Sequence, residues 1–151
     1  MTQLPASLLL PILVVFVAGI GFGIQAPMNA ALGKGLGSGL AAATVSFGVG
    51  FVALLVLTLV AGQGAPLLGI AGQPALLLIG GLFGAFVVWS MLWSVPTIGI
   101  LTAFAALLLG QLSAALVLDA LGAFGTPVSP ITPKRILAVA LVAGGLVLSR
   151  L

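Results

Sequence analysis

The chain has 151 residues, 62% of them hydrophobic and 3% charged, and its mean hydropathy is +1.48. Its ionisable side chains are Lys34, Asp119, Lys134, Arg135 and Arg150, too few to coat a water-soluble globule, and the lack of Cys and His excludes disulfides, zinc sites and imidazole catalysis. The net charge of +3 comes from scattered residues that form no basic patch, so nucleic acid is excluded as a partner and lipid is the expected solvent.

A helix crossing about 30 Å of hydrocarbon takes roughly 20 mostly apolar residues. Five stretches meet that requirement, each bounded by Gly, Pro or charge. The first covers residues 11–32 and runs into the G-K-G-L-G-S-G loop at 33–39. Its early part, with an apolar core at 8–19, has no positive flank of the kind a signal peptide carries, so it reads as a retained span. The second span covers 40–61 and is followed by an uncharged loop at 62–74. The third covers 75–95, and Pro96 is expected to begin a very short turn. The fourth covers 98–118 and closes at Asp119; a Gly- and Pro-rich loop at 121–133 then leads to the fifth, 134–150. These loops leave no room for a soluble domain, so residues 1–151 read as one all-α membrane domain. No cofactor or metal is implied.

Glycine occupies 22 positions, several in small-xxx-small spacing: Gly19 with Gly23 and Gly80 with Gly84, beside Gly48, Gly50, Gly144 and Gly145. Small residues let helices approach closely where lipid offers no hydrophobic contrast, so tight packing is the expectation for most of them.

Polar groups inside the spans are costly in hydrocarbon and mark candidate function. Gln25 and Asn29 are four apart, hence on one helical face, and Pro27 lies between them. Proline brings no N–H, so the carbonyl of Gly23 loses its usual partner; Gly23 and Pro27 therefore read as a hinge, with two carboxamides beside it. The amides can contact a small solute or bond across to a neighbouring helix. Gln111, in the fourth span, has the same two readings. Ser46 and Trp89 are weaker lining candidates. The span serines can satisfy their hydroxyls on their own helix backbone, Trp89 offers a ring face to a cation or ring, and Trp93 reads as an interfacial anchor. Asp119, the single acid, sits at the unfavourable end of its helix dipole. It is expected either to form a structural ion pair with Lys134 or Arg135, or to serve proton coupling. No nucleophile–base pair is present, so an intramembrane enzyme is not expected.

Five spans put the termini on opposite faces, with Lys134 and Arg135 on one and Lys34 and Arg150 on the other. Positive residues orient a membrane protein by staying cytoplasmic, and here the bias is nil. Either the tie follows from the small number of charges, or the chain inserts both ways and pairs with its inverted copy. The second gives an antiparallel, dual-topology homodimer, a ten-helix bundle with the inverted-repeat plan of many secondary transporters.

The motif G-x-Q-A-P-x-N-A-x-L-G at residues 23–33 resembles the YdcZ-like family of the drug/metabolite transporter superfamily. Further matches follow in order: A-A-x-x-S-F at 42–47, G-G-x-x-G-A at 80–85, P-x-x-G at 96–99, G-Q at 110–111 and D-x-x-G-x-x-G at 119–125. The resemblance implies five-helix units acting as antiparallel pairs, of one chain or of two paralogues, that transport small solutes across the cytoplasmic membrane. It is similar in plan to the four-helix small multidrug exporters, which carry a Glu in the first helix where Gln25 and Asn29 stand here. On that analogy the terminal helix serves dimer contact and the first four line the pathway.

The combined expectation is a multi-pass transporter of the bacterial inner membrane that moves a small polar or amphipathic solute by alternating access. Gln25, Asn29, Gln111, Ser46 and Trp89 would meet the solute. The alternatives are a lipid or lipid-headgroup translocator, a dual-topology ion channel and a non-transporting assembly subunit.

Overall fold

The computed structural model describes residues 6–151, with side chains from Leu10 onward; the charge-free segment at residues 1–5, part of the signal-peptide reading, lies outside them. Among the described residues the regular structure is helical throughout. The helices are α1 (Ala6–Leu36), α2 (Gly39–Val60), α3 (Ala75–Leu78), α4 (Gly80–Ile98), α5 (Ile100–Leu121) and α6 (Pro133–Leu148). Short 3-10 segments occupy Ala65–Gly72 and Ala123–Gly125.

Four spans among the described residues are long and apolar enough to cross a membrane: Leu10–Leu36, Gly39–Val60, Ala75–Ile98 and Ile100–Leu121. The third includes α3 and α4. The fifth expected span corresponds to α6, which has 16 residues. At 1.5 Å per residue it reaches roughly 24 Å, short of the hydrocarbon thickness. The expected turn at Pro96 lies three residues later. α4 continues through Pro96 to Ile98, and the break comes at Gly99, whose φ of 81° is a conformation that side chains resist. Proline in the last turn of a helix is held by its neighbours' bonds, here Gly99 N–H to the Val95 carbonyl at 2.9 Å.

The chain divides into two compact units, Met1–Trp93 and Ser94–Leu151, the division falling within α4. In the first, α1 and α2 form an antiparallel hairpin. Lys34 in the last turn of α1 favours the negative end of that helix dipole, and Ser38 caps α2 by accepting from the Ala41 amide at 3.2 Å. Near the turn the backbones come close enough that a Cβ on Gly33 would stand 3.3 Å from the Gly39 Cα. Residues of α4 lie against α2 in the opposite direction: Gly84 faces the Phe47 ring, and Leu92 faces Gly39.

The second unit is another antiparallel hairpin, α5 with α6. Gly122 ends α5 in the left-handed region, with φ 59°, and a Cβ there would meet Val128 Cγ2 at 2.7 Å. Thr132 caps α6 by accepting from the Arg135 amide at 3.4 Å, and Pro133 follows at the first helical position, where its missing N–H is of no consequence.

Few side chains are buried. Among the described residues the buried apolar ones are Ala42, Ala43, Val88, Met91 and Ala103, while long runs of Leu, Val, Ile and Phe remain exposed. In water this would be an unstable surface; in hydrocarbon it is the ordinary one, because lipid tails are as apolar as the side chains.

Among the small residues expected to pack, the contacts inside each unit differ from position to position. Gly19, Gly23, Gly48, Gly80, Gly144 and Gly145 have open space where a Cβ would stand, whereas Gly84 packs on Phe47.

Candidate functional site

The polar centre of the first unit lies midway along the α1–α2 hairpin. Antiparallel pairing that starts with Gly33 against Gly39 brings Gln25, two turns back along α1, level with Ser46, two turns forward along α2. The Gln25 Nε2 donates to the Ser46 Oγ at 3.2 Å. Both residues are half-buried. One turn from Gln25 along α1, Asn29 is buried, with 7% of its surface exposed.

Ser46 behaves differently from other polar residues of the spans. Thr44, Thr58, Ser90 and Ser113 donate to carbonyls of their own preceding turn, at 2.8–3.0 Å. That is the local satisfaction expected of helix hydroxyls, and Ser90 follows it. Ser46 instead accepts from a different helix. Interhelical hydrogen bonds of this kind in membranes are worth about 1 kcal/mol, so a competing polar group can replace one at small cost.

A cavity of about 360 Å³ opens beside this bond, lined by Gln25, Ser46, Phe47, Gly50, Phe51 and Leu54. That is toward the small end of the range for ligand pockets. None of the six lining residues is ionisable. Phe51 and Leu54 were not singled out from the sequence, and Gly50 only as a small residue for packing, yet the three continue the stripe begun by Ser46 and Phe47 at positions one and two turns on. That spacing was the available signal.

Trp89 does not line this cavity. It stacks on Trp93, with centroids 6.4 Å apart and planes 7° apart, and lies 5.8 Å from Phe86, forming an exposed aromatic ladder along α4. Pro27 sits within an uninterrupted α1, and Gly23 one turn before it has open space beside it.

In the second unit, Gln111 is exposed on α5. Asp119 is paired with Arg135, and among the described residues Lys134 takes no part in that ion pair. Arg135 Nη1 also donates to the carbonyl of Ser129 at 3.0 Å, and the Ser129 amide donates to the Asp119 carbonyl at 2.9 Å. The carboxylate and guanidinium are therefore built into a clasp that closes the loop between α5 and α6. At the other end of the same hairpin the single proton of Ser149 Oγ is shared between the Leu146 carbonyl at 2.7 Å and Thr102 Oγ1 at 3.2 Å. Neither Thr102 nor Ser149 was anticipated. Thr102 stands in an apolar stretch and Ser149 beside Arg150, and only the hairpin register brings them together.

The amides, hydroxyl and rings of the first unit offer hydrogen bonds and apolar contact to a small molecule, and no nucleophile–base pair accompanies them. Comparison with known proteins agrees with that chemistry. Residues 10–148 match the family described as "Putative inner membrane exporter, YdcZ", a family of transporters and not of enzymes. No curated protein and no solved structure matches the chain. A match over nearly the whole length, on a chain with four membrane-crossing helices, makes this protein a member of the YdcZ family and a multi-pass transporter of the inner membrane.

Proposed function

We propose that the protein is a secondary transporter that carries a small polar or amphipathic solute by alternating access, as an antiparallel homodimer. The observation that carries this reading is the Gln25–Ser46 bond between two helices, beside a cavity in a mostly apolar hairpin. A solute able to replace that bond would loosen α1 from α2 where it binds. Asn29, one turn away, continues the polar face of α1, and Gln111 and Trp89 are further contacts in the assembled carrier. Gly23 and Pro27 supply the hinge, since Pro27 leaves one backbone bond of α1 unmade.

The dimer is supported by what the single chain leaves open. Ten glycines on α1, α2, α4 and α6, among them Gly19, Gly23, Gly48, Gly80, Gly144 and Gly145, have open space where a Cβ would stand, the kind of surface on which a second set of helices packs closely. α6 is the fifth span in this reading. Lys134 and Arg135 at its start and Arg150 just past its end reach the two interfaces, and local thinning of the bilayer accommodates its shortness. Asp119 serves the clasp with Arg135, and coupling does not pass through it.

The chain has no cysteine, which permits a test without a known substrate. A single Cys is placed just beyond Arg150 in one sample and at Leu54 in another, and each is reconstituted in sealed vesicles. An impermeant maleimide added outside should label near half of the terminal Cys, because both orientations occur. It should label the cavity Cys to completion, because the cavity opens to each face in turn. A cavity Cys that stops at the same fraction as the terminal one would rule out alternating access. Terminal labelling near none or near all would rule out the dual-topology homodimer.

A further inference from the structure

The wall of the Gln25–Ser46 cavity also specifies what kind of solute fits it. This step rests on the reading of the cavity as the substrate site. Because Nε2 of Gln25 donates to Ser46, Oε1 of Gln25 is left to accept; because Ser46 accepts, its own hydroxyl proton is left to donate. The site thus presents one acceptor and one donor side by side. Phe47, Phe51 and Leu54 line the rest of the wall along one stripe of α2.

Charge is missing from this wall. The ionisable residues are Lys34, Asp119, Lys134, Arg135 and Arg150, and none of them lines the cavity. A carboxylate or ammonium entering a low-dielectric site without a countercharge loses its hydration and gains little in return, and the faces of two phenylalanines offset only a small part of that cost for a cation. A group that both donates and accepts, without charge, loses far less and can exchange the Gln25–Ser46 bond for two of its own.

From this we infer that the substrate is an uncharged amphipath whose polar end is a carboxamide or a kindred donor–acceptor group, with an apolar body of modest size. The solute's amide N–H meets Gln25 Oε1, its carbonyl takes the Ser46 proton, and its apolar part lies against Phe47, Phe51 and Leu54. The cavity volume of about 360 Å³ suits a body on the order of one ring with a short chain.

The test uses the full chain in lipid nanodiscs and three probes of one shape: 3-phenylpropanamide, 3-phenylpropanoate and 3-phenylpropylammonium. Binding is measured by equilibrium dialysis on the native chain and on Gln25→Leu, Ser46→Ala and Gln25→Glu, each first checked for native helix content. The amide should bind about tenfold or more tightly than either ion, and Gln25→Leu and Ser46→Ala should each weaken it by about five- to tenfold, as loss of one hydrogen bond predicts. Gln25→Glu should reverse the preference, raising affinity for the ammonium probe above that for the amide, a gain that damage to the fold cannot produce. If an ionic probe binds as tightly as the amide and loses affinity in Gln25→Leu, the uncharged-substrate inference is overturned while the site stands. If no probe responds to the Gln25 and Ser46 substitutions, the site reading itself falls, and the inference falls with it.

Discussion

The two helix hairpins of this protein are held together in different ways. α5 and α6 are fastened at both ends: by the Asp119–Arg135 ion pair and its carbonyl bonds at one, and by Thr102 with Ser149 at the other. α1 and α2 share a close glycine contact near their turn and one amide–hydroxyl bond at mid-length, beside a cavity. Asp119, Arg135, Thr102 and Ser149 serve closure in the second hairpin, whereas Gln25 and Ser46 of the first stand where a solute can compete for them. A polar residue in a membrane span is therefore better judged by what it spends its hydrogen bonds on than by its being polar. Ser113 and Ser149 use their hydroxyls within the protein, and Ser46 keeps a proton to give.

If that contrast is right, substitutions at the closures of the second hairpin should lower stability and spare the site. The largest effect is expected at Gly122. Alanine there has to adopt a φ near 59° and place its Cβ against Val128 Cγ2. The left-handed conformation alone costs roughly 1–2 kcal/mol, and Val128 has to shift as well, so Gly122→Ala should destabilise by about 2 kcal/mol. Thermal unfolding in detergent measures this directly. A neutral result would mean that the turn after α5 is not the constraint its backbone suggests.

The next largest is expected at Arg135. Its guanidinium is 32% exposed and the Asp119 side chain 40%, so solvent and headgroups screen the pair. Exposed pairs contribute up to about 1 kcal/mol, and Arg135→Met should cost about that much, including the bond to the Ser129 carbonyl. Completion of labelling of a cavity Cys at Leu54 should not change. Should Arg135→Met or Asp119→Asn leave the fold intact but halt that labelling, the clasp would be part of the transport cycle, and the division of labour between the hairpins would be wrong.

Much of this was legible in the sequence. Hydropathy places α1, α2, the α3–α4 span and α5, because a 20-residue apolar stretch in a nearly charge-free chain has no other stable use. The one-face relation of Gln25 and Asn29 follows from helical spacing alone. What was not legible needs the pairing between helices. Nothing in residues 46–54 by themselves says that their stripe faces Gln25, and nothing local joins Thr102 to a serine 47 positions away. The turn at Gly99 was misplaced to Pro96 because proline is a strong breaker only in the interior of a helix; in a final turn few bonds remain for it to break.

The smallest expected effect tests the comparison most finely. The Ser149 hydroxyl shares its one proton between Thr102 and the Leu146 carbonyl of its own helix, so Ser149→Ala removes one interhelical contact while the backbone carbonyl of residue 149 stays within 3.5 Å of the Thr102 hydroxyl. Thr102 is buried and would be left with a costly free hydroxyl if that second acceptor were absent. With it, the loss should be only about 0.5 kcal/mol. Thr102→Val removes the hydroxyl that both contacts share, so it should cost about as much and add little on top of Ser149→Ala. A double-mutant cycle in thermal unfolding checks this. Strong coupling, well above about 0.5 kcal/mol, would make this end of α5–α6 as firm as the clasp, whereas additivity of the two losses would show that the residues do not act on each other and that the hairpin is held at one end alone.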